Sequence, residues 1–281
     1  RMAIGPLVGQ VAFMVSDWRL IRAGDRTVRD GWLAHLPAAA AIQTKAVNYE
    51  HDGAKLTGHL YWDDAIEGKR PGVMVVHEWW GLNDYAKKRA EMLAELGYVA
   101  FAADLYGDGK VTDQPGQAKE WMQEITTDVD AWRERAALGL EQLGNSELVD
   151  PDRLAAIGYC FGGATVFQMS YAGTDALGVV SFHGSMPAAP EESKGKISNR
   201  ILAFHGAADT FIAPEVVTNW QNKLQEAGAD WELVIFGGDV RHGFTNKDAA
   251  SFGIDNLKYD ARADTVSWER MQDFFTGLFA K

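Results

Sequence analysis

Apolar and polar positions follow two rhythms along this chain from about residue 44 onward. Residues 45–50 and 56–62 alternate apolar and polar side chains on either side of Asp52-Gly53, which predicts a hairpin. Residues 72–77 (GVMVVH) form a short unbroken apolar run, as expected of a strand buried on both faces. Residues 98–105, 154–159, 178–183, 201–205 and 231–236 repeat that pattern. Helical spacing fills the intervals. Asn83 can cap a helix that runs through Leu96 and stops at Gly97. A long amphipathic stretch covers residues 117–143 and stops at Gly144, and further helices are expected over 162–171, 215–227 and 262–279. Strands alternating with helices predict an α/β class, with a mostly parallel central sheet and helices on both faces.

Residues 1–43 keep neither rhythm. The chain opens on Arg1, is apolar and glycine-bearing to Val15, and is then interrupted by Asp17, Arg19, Arg22, Asp25, Arg26, Arg29 and Asp30. Leu36-Pro37 followed by four alanines resembles an export-signal cleavage site, but the apolar stretch before it is short and charge intervenes. These residues are expected to be a leader or appendage, either a signal relic or vector-derived, with a single domain over 44–281. No repeat or linker divides that domain.

Composition narrows the classes of function. Of 281 residues 47% are apolar and 23% charged, which suits a packed globular chain rather than a disordered one. Acidic side chains outnumber basic ones 39 to 27, and a net charge of −12 disfavours nucleic acid and anionic membrane surfaces as partners. No run of about 18 uncharged apolar residues is present. A cytoplasmic location is expected, or a periplasmic or secreted one if the alanine-rich segment is a signal relic. The single cysteine, Cys160, excludes an intrachain disulfide and a multi-cysteine zinc site.

In a sheet of this kind ligands bind beyond the carboxyl ends of the strands. His77, Glu78, Asp104, Cys160, His183, His205, Asp209 and His242 all fall there. Cys160 lies in Gly158-Tyr159-Cys160-Phe161-Gly162, the G-x-S-x-G nucleophile-elbow pattern with cysteine in place of serine. Such a turn is sharp enough that side chains two residues to either side would clash. It also sets the sulfur at a helix N-terminus, where unpaired N–H groups favour negative charge. A buried filler cysteine beside two glycines would look the same in isolation. However, Asp209 follows one apolar strand and His242 follows the last, giving the order nucleophile, acid, histidine. His77, His183 and His205 are expected to hydrogen-bond near the mouth rather than bind metal, because no H-E-x-x-H or H-x-x-E-H spacing appears. No metal or cofactor is expected.

The strings HEWWGLNDY, LYGDG, GYCFGG, HGAADTFIAPE and RHGF resemble the dienelactone hydrolase family over about residues 44–279. The resemblance implies an α/β-hydrolase fold and a Cys-Asp-His triad, with Cys160 as nucleophile, His242 as general base and Asp209 orienting it. It implies that Glu78 contacts and poises the resting thiol. It also implies an oxyanion hole built from the backbone N–H groups of Trp79 and Phe161. Trp80, Tyr106, His183, Phe211 and Phe244 fall in or beside the motif loops and are expected to line an aromatic pocket.

One departure bears on substrate. Family members that cleave dienelactone bind its carboxylate with two arginines, one after the Asp-Leu-Tyr string and one shortly after the histidine. Here those stretches read Asp104-Leu105-Tyr106-Gly107-Asp108 and His242-Gly243-Phe244-Thr245-Asn246, without a cation. Losing two charge-assisted contacts, each worth about 1.5–3 kcal/mol, predicts a small neutral ester-like substrate, either an activated ester or a lactone. Three other readings stand beside this one. They are a phosphotriester hydrolase using the same site, a non-catalytic ligand-binding member of the fold, and a redox-sensing cysteine. A monomer or homodimer is expected.

Overall fold

Two ten-residue strands begin the computed structural model, which describes residues 41–280. β1 (Ile42–His51) and β2 (Ala54–Asp63) pair antiparallel around Asp52-Gly53. Both turn residues have positive φ, 49° and 76°, as a two-residue hairpin turn matched to strand twist requires. β1 therefore starts two residues before the domain boundary expected at residue 44. The remainder of the leader reading falls on residues 1–40, outside the described residues.

The chain continues through β3 (Arg70–Val76), α1 (Asp84–Glu95), β4 (Val99–Ala103), α2 (Pro115–Thr126), α3 (Val129–Gly144) and β5 (Val149–Tyr159). It closes with α4 (Phe161–Ala172), β6 (Gly178–Phe182), β7 (Arg200–Gly206), α5 (Pro214–Ala227), β8 (Asp230–Phe236) and α6 (Ala261–Phe279). The eight strands form one sheet in the order β1-β2-β4-β3-β5-β6-β7-β8. β1, β2 and β4 pair antiparallel, and every pairing from β4 to β8 is parallel. This is the α/β-hydrolase architecture.

Alternation along the strands explains the unbroken apolar runs. Met74, Val76, Phe101 and Ala103 pack on one face, against Trp132 of α3, Phe167 of α4 and Trp220 of α5. Val73, Val75, Ala100 and Ala102 pack on the other, against Ala90 and Leu93 of α1 and Met271 and Phe275 of α6. With helices on both faces no strand position needs a polar side chain. Burying each large aliphatic or aromatic side chain stabilises the fold by about 1.5–3 kcal/mol.

α1 starts as expected, with the Asn83 side chain accepting from the Ala86 N–H at 3.3 Å. The stretch expected as one helix over 117–143 is instead two. Asp128 interrupts it, its Oδ1 accepting from the N–H groups of Asp130 and Ala131, both at 3.1 Å. A capping carboxylate in mid-pattern starts a new helix axis, and apolar periodicity alone does not register that event.

Candidate active site

Because β3 to β8 run parallel, their carboxyl ends share one edge of the sheet, and the residues that follow them converge there. Cys160, between β5 and α4, has φ 54° and ψ −112°, a conformation L-residues rarely adopt. Such a backbone costs of order 1–3 kcal/mol and persists only when its surroundings impose it. Here the Cys160 N–H donates to the Phe182 carbonyl (3.0 Å) and the Gly162 N–H donates to the His77 carbonyl (3.1 Å). A Cβ on Gly158 would collide with the Gly162 carbonyl, and one on Gly162 with the Val76 carbonyl. The two glycines are thus steric requirements of the turn, which leaves Cys160 half-buried rather than sealed.

Asp209, in the loop after β7, and His242, in the loop after β8, meet through a 2.7 Å hydrogen bond between Oδ2 and Nδ1. Both are buried. The second carboxylate oxygen accepts from the Phe211 N–H (2.9 Å) and from Asn256 Nδ2 (2.8 Å). Burial works against the Asp209 charge, but His242, Asn256 and the Phe211 N–H outweigh it and hold the carboxyl below its ordinary value. Burial likewise opposes a charged His242. The neighbouring Cys160 sulfur and the Asp209 bond outweigh it and raise the imidazole to about 10. Nε2 of that ring is buried and makes no other hydrogen bond of good geometry, so it is the atom left for chemistry.

Glu78 is buried and its Oε2 accepts from Asn246 Nδ2 at 2.8 Å. Among the described residues no hydrogen bond joins it to the Cys160 sulfur. The Asn246 amide is oriented by its own Oδ1, which accepts from the Asp248 N–H at 3.0 Å. Burial pushes Glu78 up to about 7, with the Asn246 bond and His242 opposing the rise. Its carbonyl accepts from His77 Nδ1 (2.6 Å), while His77 Nε2 accepts from the Leu105 N–H (3.2 Å). His77 is thereby a neutral brace for the loop. Among the described residues the N–H groups of Trp79 and Phe161 have no hydrogen-bond acceptor. Free donors of this kind are what an oxyanion requires.

The expected aromatic pocket is smaller than the sequence suggested. Trp80 is 1% exposed and stacks on Phe252 with centroids 3.9 Å apart, and Phe244 is 0% exposed among Phe236 and His183. His183 is also sealed, its Nε2 sharing a 2.6 Å hydrogen bond with Thr245 Oγ1. Burial, with His242 and Arg89 adding to it, holds that ring well below its ordinary value and therefore neutral. These three back the site rather than line it, because loop aromatics here supply the packing that fixes the motif loops. Tyr106 is also buried, with its hydroxyl donating to the Trp79 carbonyl at 3.0 Å, whereas Phe211 is 50% exposed. Sequence reasoning missed Asn256 and the bonding role of Asn246. The position of Asn246, four residues after His242, was the only available signal. Nothing local marks Asn256.

Residues 56–279 match the model of the dienelactone hydrolase family. The solved structure of m3DLH is 36% identical with a TM-score of 0.82, covering 85% of this chain and 99% of its own. A dienelactone hydrolase-like promiscuous phosphotriesterase from metagenomic libraries is 35% identical, again with a TM-score of 0.82 and the same coverage. Protein usf of Aquifex pyrophilus is 28% identical over 208 residues, spanning 72% of this chain and 87% of that protein. Since the family match runs from β2 to the end of α6 and takes in every loop at the sheet's carboxyl edge, the chain belongs to the dienelactone hydrolase family of α/β hydrolases.

Proposed function

We propose that this chain hydrolyses neutral, activated carboxylic esters or lactones, with Cys160 as nucleophile, His242 as acid and base, and Asp209 as its orienting group. The observation that carries the reading is the pairing of a strained, half-buried Cys160 with a buried His242–Asp209 couple on adjoining loops. In this mechanism the Cys160 sulfur attacks the carbonyl carbon. The developing oxyanion takes the N–H groups of Phe161 and Trp79, each worth about 2.7–4 kcal/mol. His242 gives its Nε2 proton to the leaving oxygen, and a thioester forms. Acylation converts the sulfur to a neutral thioester, which removes the largest of the influences that raise His242. His242 then becomes a competent base, takes a proton from water, and the hydroxide releases the acid. Glu78, titrating near neutrality, is the group proposed to keep the resting thiol poised, and reaching the sulfur requires it to exchange its Asn246 bond.

Preference for a neutral substrate is supported by the commitments of nearby cations. Arg241 pairs with Asp239 (2.6 Å) and the Asp255 carbonyl (2.8 Å). Arg89 is buried and donates to the Thr245 carbonyl and Asp264, both at 2.6 Å. A second reading, turnover of neutral phosphotriesters, is favoured by the 35%-identical structure described as a promiscuous phosphotriesterase. A thiol, with a reference pKa of about 8.5, departs from phosphorus far more readily than an alkoxide.

The test is a panel of aryl esters, neutral and carboxylate-bearing, with an aryl dialkyl phosphate, run on wild type and Cys160→Ala with intact-mass trapping. A neutral-ester preference and an acyl adduct lost in the variant are expected. Turnover retained by Cys160→Ala, or a preference for the carboxylate-bearing ester, would refute the proposal.

A further inference from the structure

We infer that Phe211 contacts the leaving group of the substrate and gives the site a preference for aromatic over aliphatic leaving groups. This rests on the cysteine-hydrolase reading above and adds to it which half of the substrate one residue recognises.

The starting point is the surroundings of His242. Its Nδ1 is occupied by Asp209 at 2.7 Å. His183 packs against the ring with centroids 5.2 Å apart and an interplanar angle of 61°. Phe211 packs against it at 5.1 Å and 62°. Asp209 and His183 are closed to solvent, but Phe211 is half open, at 50% exposure. Of these three neighbours of the imidazole, Phe211 is the one that a substrate arriving from solvent can touch. A single exposed phenylalanine is ordinary on a protein surface. One edge-on to the acid–base residue and held in register with it is a different matter.

The register comes from the backbone. The Phe211 N–H donates to Asp209 Oδ1 (2.9 Å), and the preceding Thr210 N–H donates to Asn256 Oδ1 (3.0 Å). Asn256 in turn donates to the same Asp209 oxygen (2.8 Å). Two successive N–H groups thus tie residues 210 and 211 to the carboxylate that orients His242, so the phenyl ring and the imidazole share one anchor.

Reaction geometry supplies the rest. During acylation the proton on His242 Nε2 passes to the leaving oxygen, which must lie within about 3 Å of that nitrogen. Atoms bonded to the leaving oxygen then lie beside the imidazole, whose ring centroid is 5.1 Å from that of Phe211. The acyl carbon is on Cys160 and its chain extends elsewhere. An aromatic leaving group meets the ring edge-on or offset, a contact worth a factor of about 2 to 12 beyond simple burial. An aliphatic one loses that increment.

The test compares phenyl butyrate with trifluoroethyl butyrate, two activated esters with one acyl group, on wild type, Phe211→Ala and Phe211→Trp. Phe211→Ala should lower kcat/KM for the phenyl ester by about threefold to tenfold. It should leave the trifluoroethyl ester within about twofold, and Phe211→Trp should retain the aryl preference. Both esters pass through the same butyryl thioester, so its single-turnover hydrolysis should be unchanged in both variants. Equal losses on the two esters, no loss on either, or slowed thioester hydrolysis would each overturn the assignment. The first would make the side chain a prop for Asp209, and the last would put it on the acyl side. None of these outcomes bears on Cys160, whose role fails only if Cys160→Ala stays active or forms no less adduct than wild type.

Discussion

Asn256→Leu removes a hydrogen bond to the Asp209 carboxylate at nearly constant volume. Asn256 is 6% exposed and supplies one of three donors to Asp209, the others being His242 Nδ1 and the Phe211 N–H. Its second bond, from the Thr210 N–H, is replaceable because Thr210 is exposed and water can accept there. A hydrogen bond to a charged group contributes about 1.5–3 kcal/mol. Removing it raises the folded-state Asp209 pKa and lowers stability at neutral pH by about that amount. The sign follows from linkage. Asp209 is held below its ordinary value in the fold, so its charge stabilises the protein at neutral pH, and that contribution fades as pH falls through the folded-state pKa. The variant protonates at higher pH than wild type. The stability gap should therefore be full at pH 7 and narrow as pH falls from the variant's pKa toward the wild-type value. Urea titrations at pH 7 and at about pH 3.5 read it directly, with m-values checking that both proteins unfold alike. A gap of the same size at both pH values would mean that Asn256 acts by packing, and the electrostatic argument would be wrong.

Two further substitutions test other parts of the site. Gly158→Ala puts a Cβ against the Gly162 carbonyl, a backbone group that cannot move without opening the elbow, and should cost about 3 kcal/mol or more. Gly237→Ala, with nothing within 4 Å, is the control, and similar melting temperatures for the two variants would remove the steric argument. Glu78→Gln addresses the buried carboxyl, which burial raises from 4.5 to about 7. A raised carboxyl binds protons more tightly folded than unfolded, so the stability that Glu78 itself contributes should fall as pH rises from about 4.5 to about 7, by roughly 3 kcal/mol, while the buried histidines with lowered pKa act in the opposite sense. The stability difference between wild type and Glu78→Gln, read by urea titration across the same range, should carry that decline, and a difference that does not change with pH would show that Glu78 does not titrate there.

Much of the architecture was legible in the residues. Period-two alternation around Asp52-Gly53 set the hairpin, and apolar runs such as residues 72–76 marked strands covered on both faces. The elbow was legible for a steric reason, since Gly158 and Gly162 are adjacent in sequence to the turn they permit. Local chemistry was also sufficient to place Cys160, Asp209 and His242 on the loops after β5, β7 and β8, at one sheet edge. What sequence could not reveal depends on contacts between distant segments. The break at Asp128 was written locally, but a continuous apolar stripe concealed it. Asn256 reaches Asp209 across 47 positions and Asn246 reaches Glu78 across 168, and no periodicity encodes such pairings. Trp80 and Phe244 carry the same apolar character whether they face a substrate or a neighbouring ring, and only packing assigned them to the interior. Residue type and spacing decided which groups stand at the sheet's edge. Tertiary structure decided which of them touch, how deeply each is buried, and so which proton each can hold.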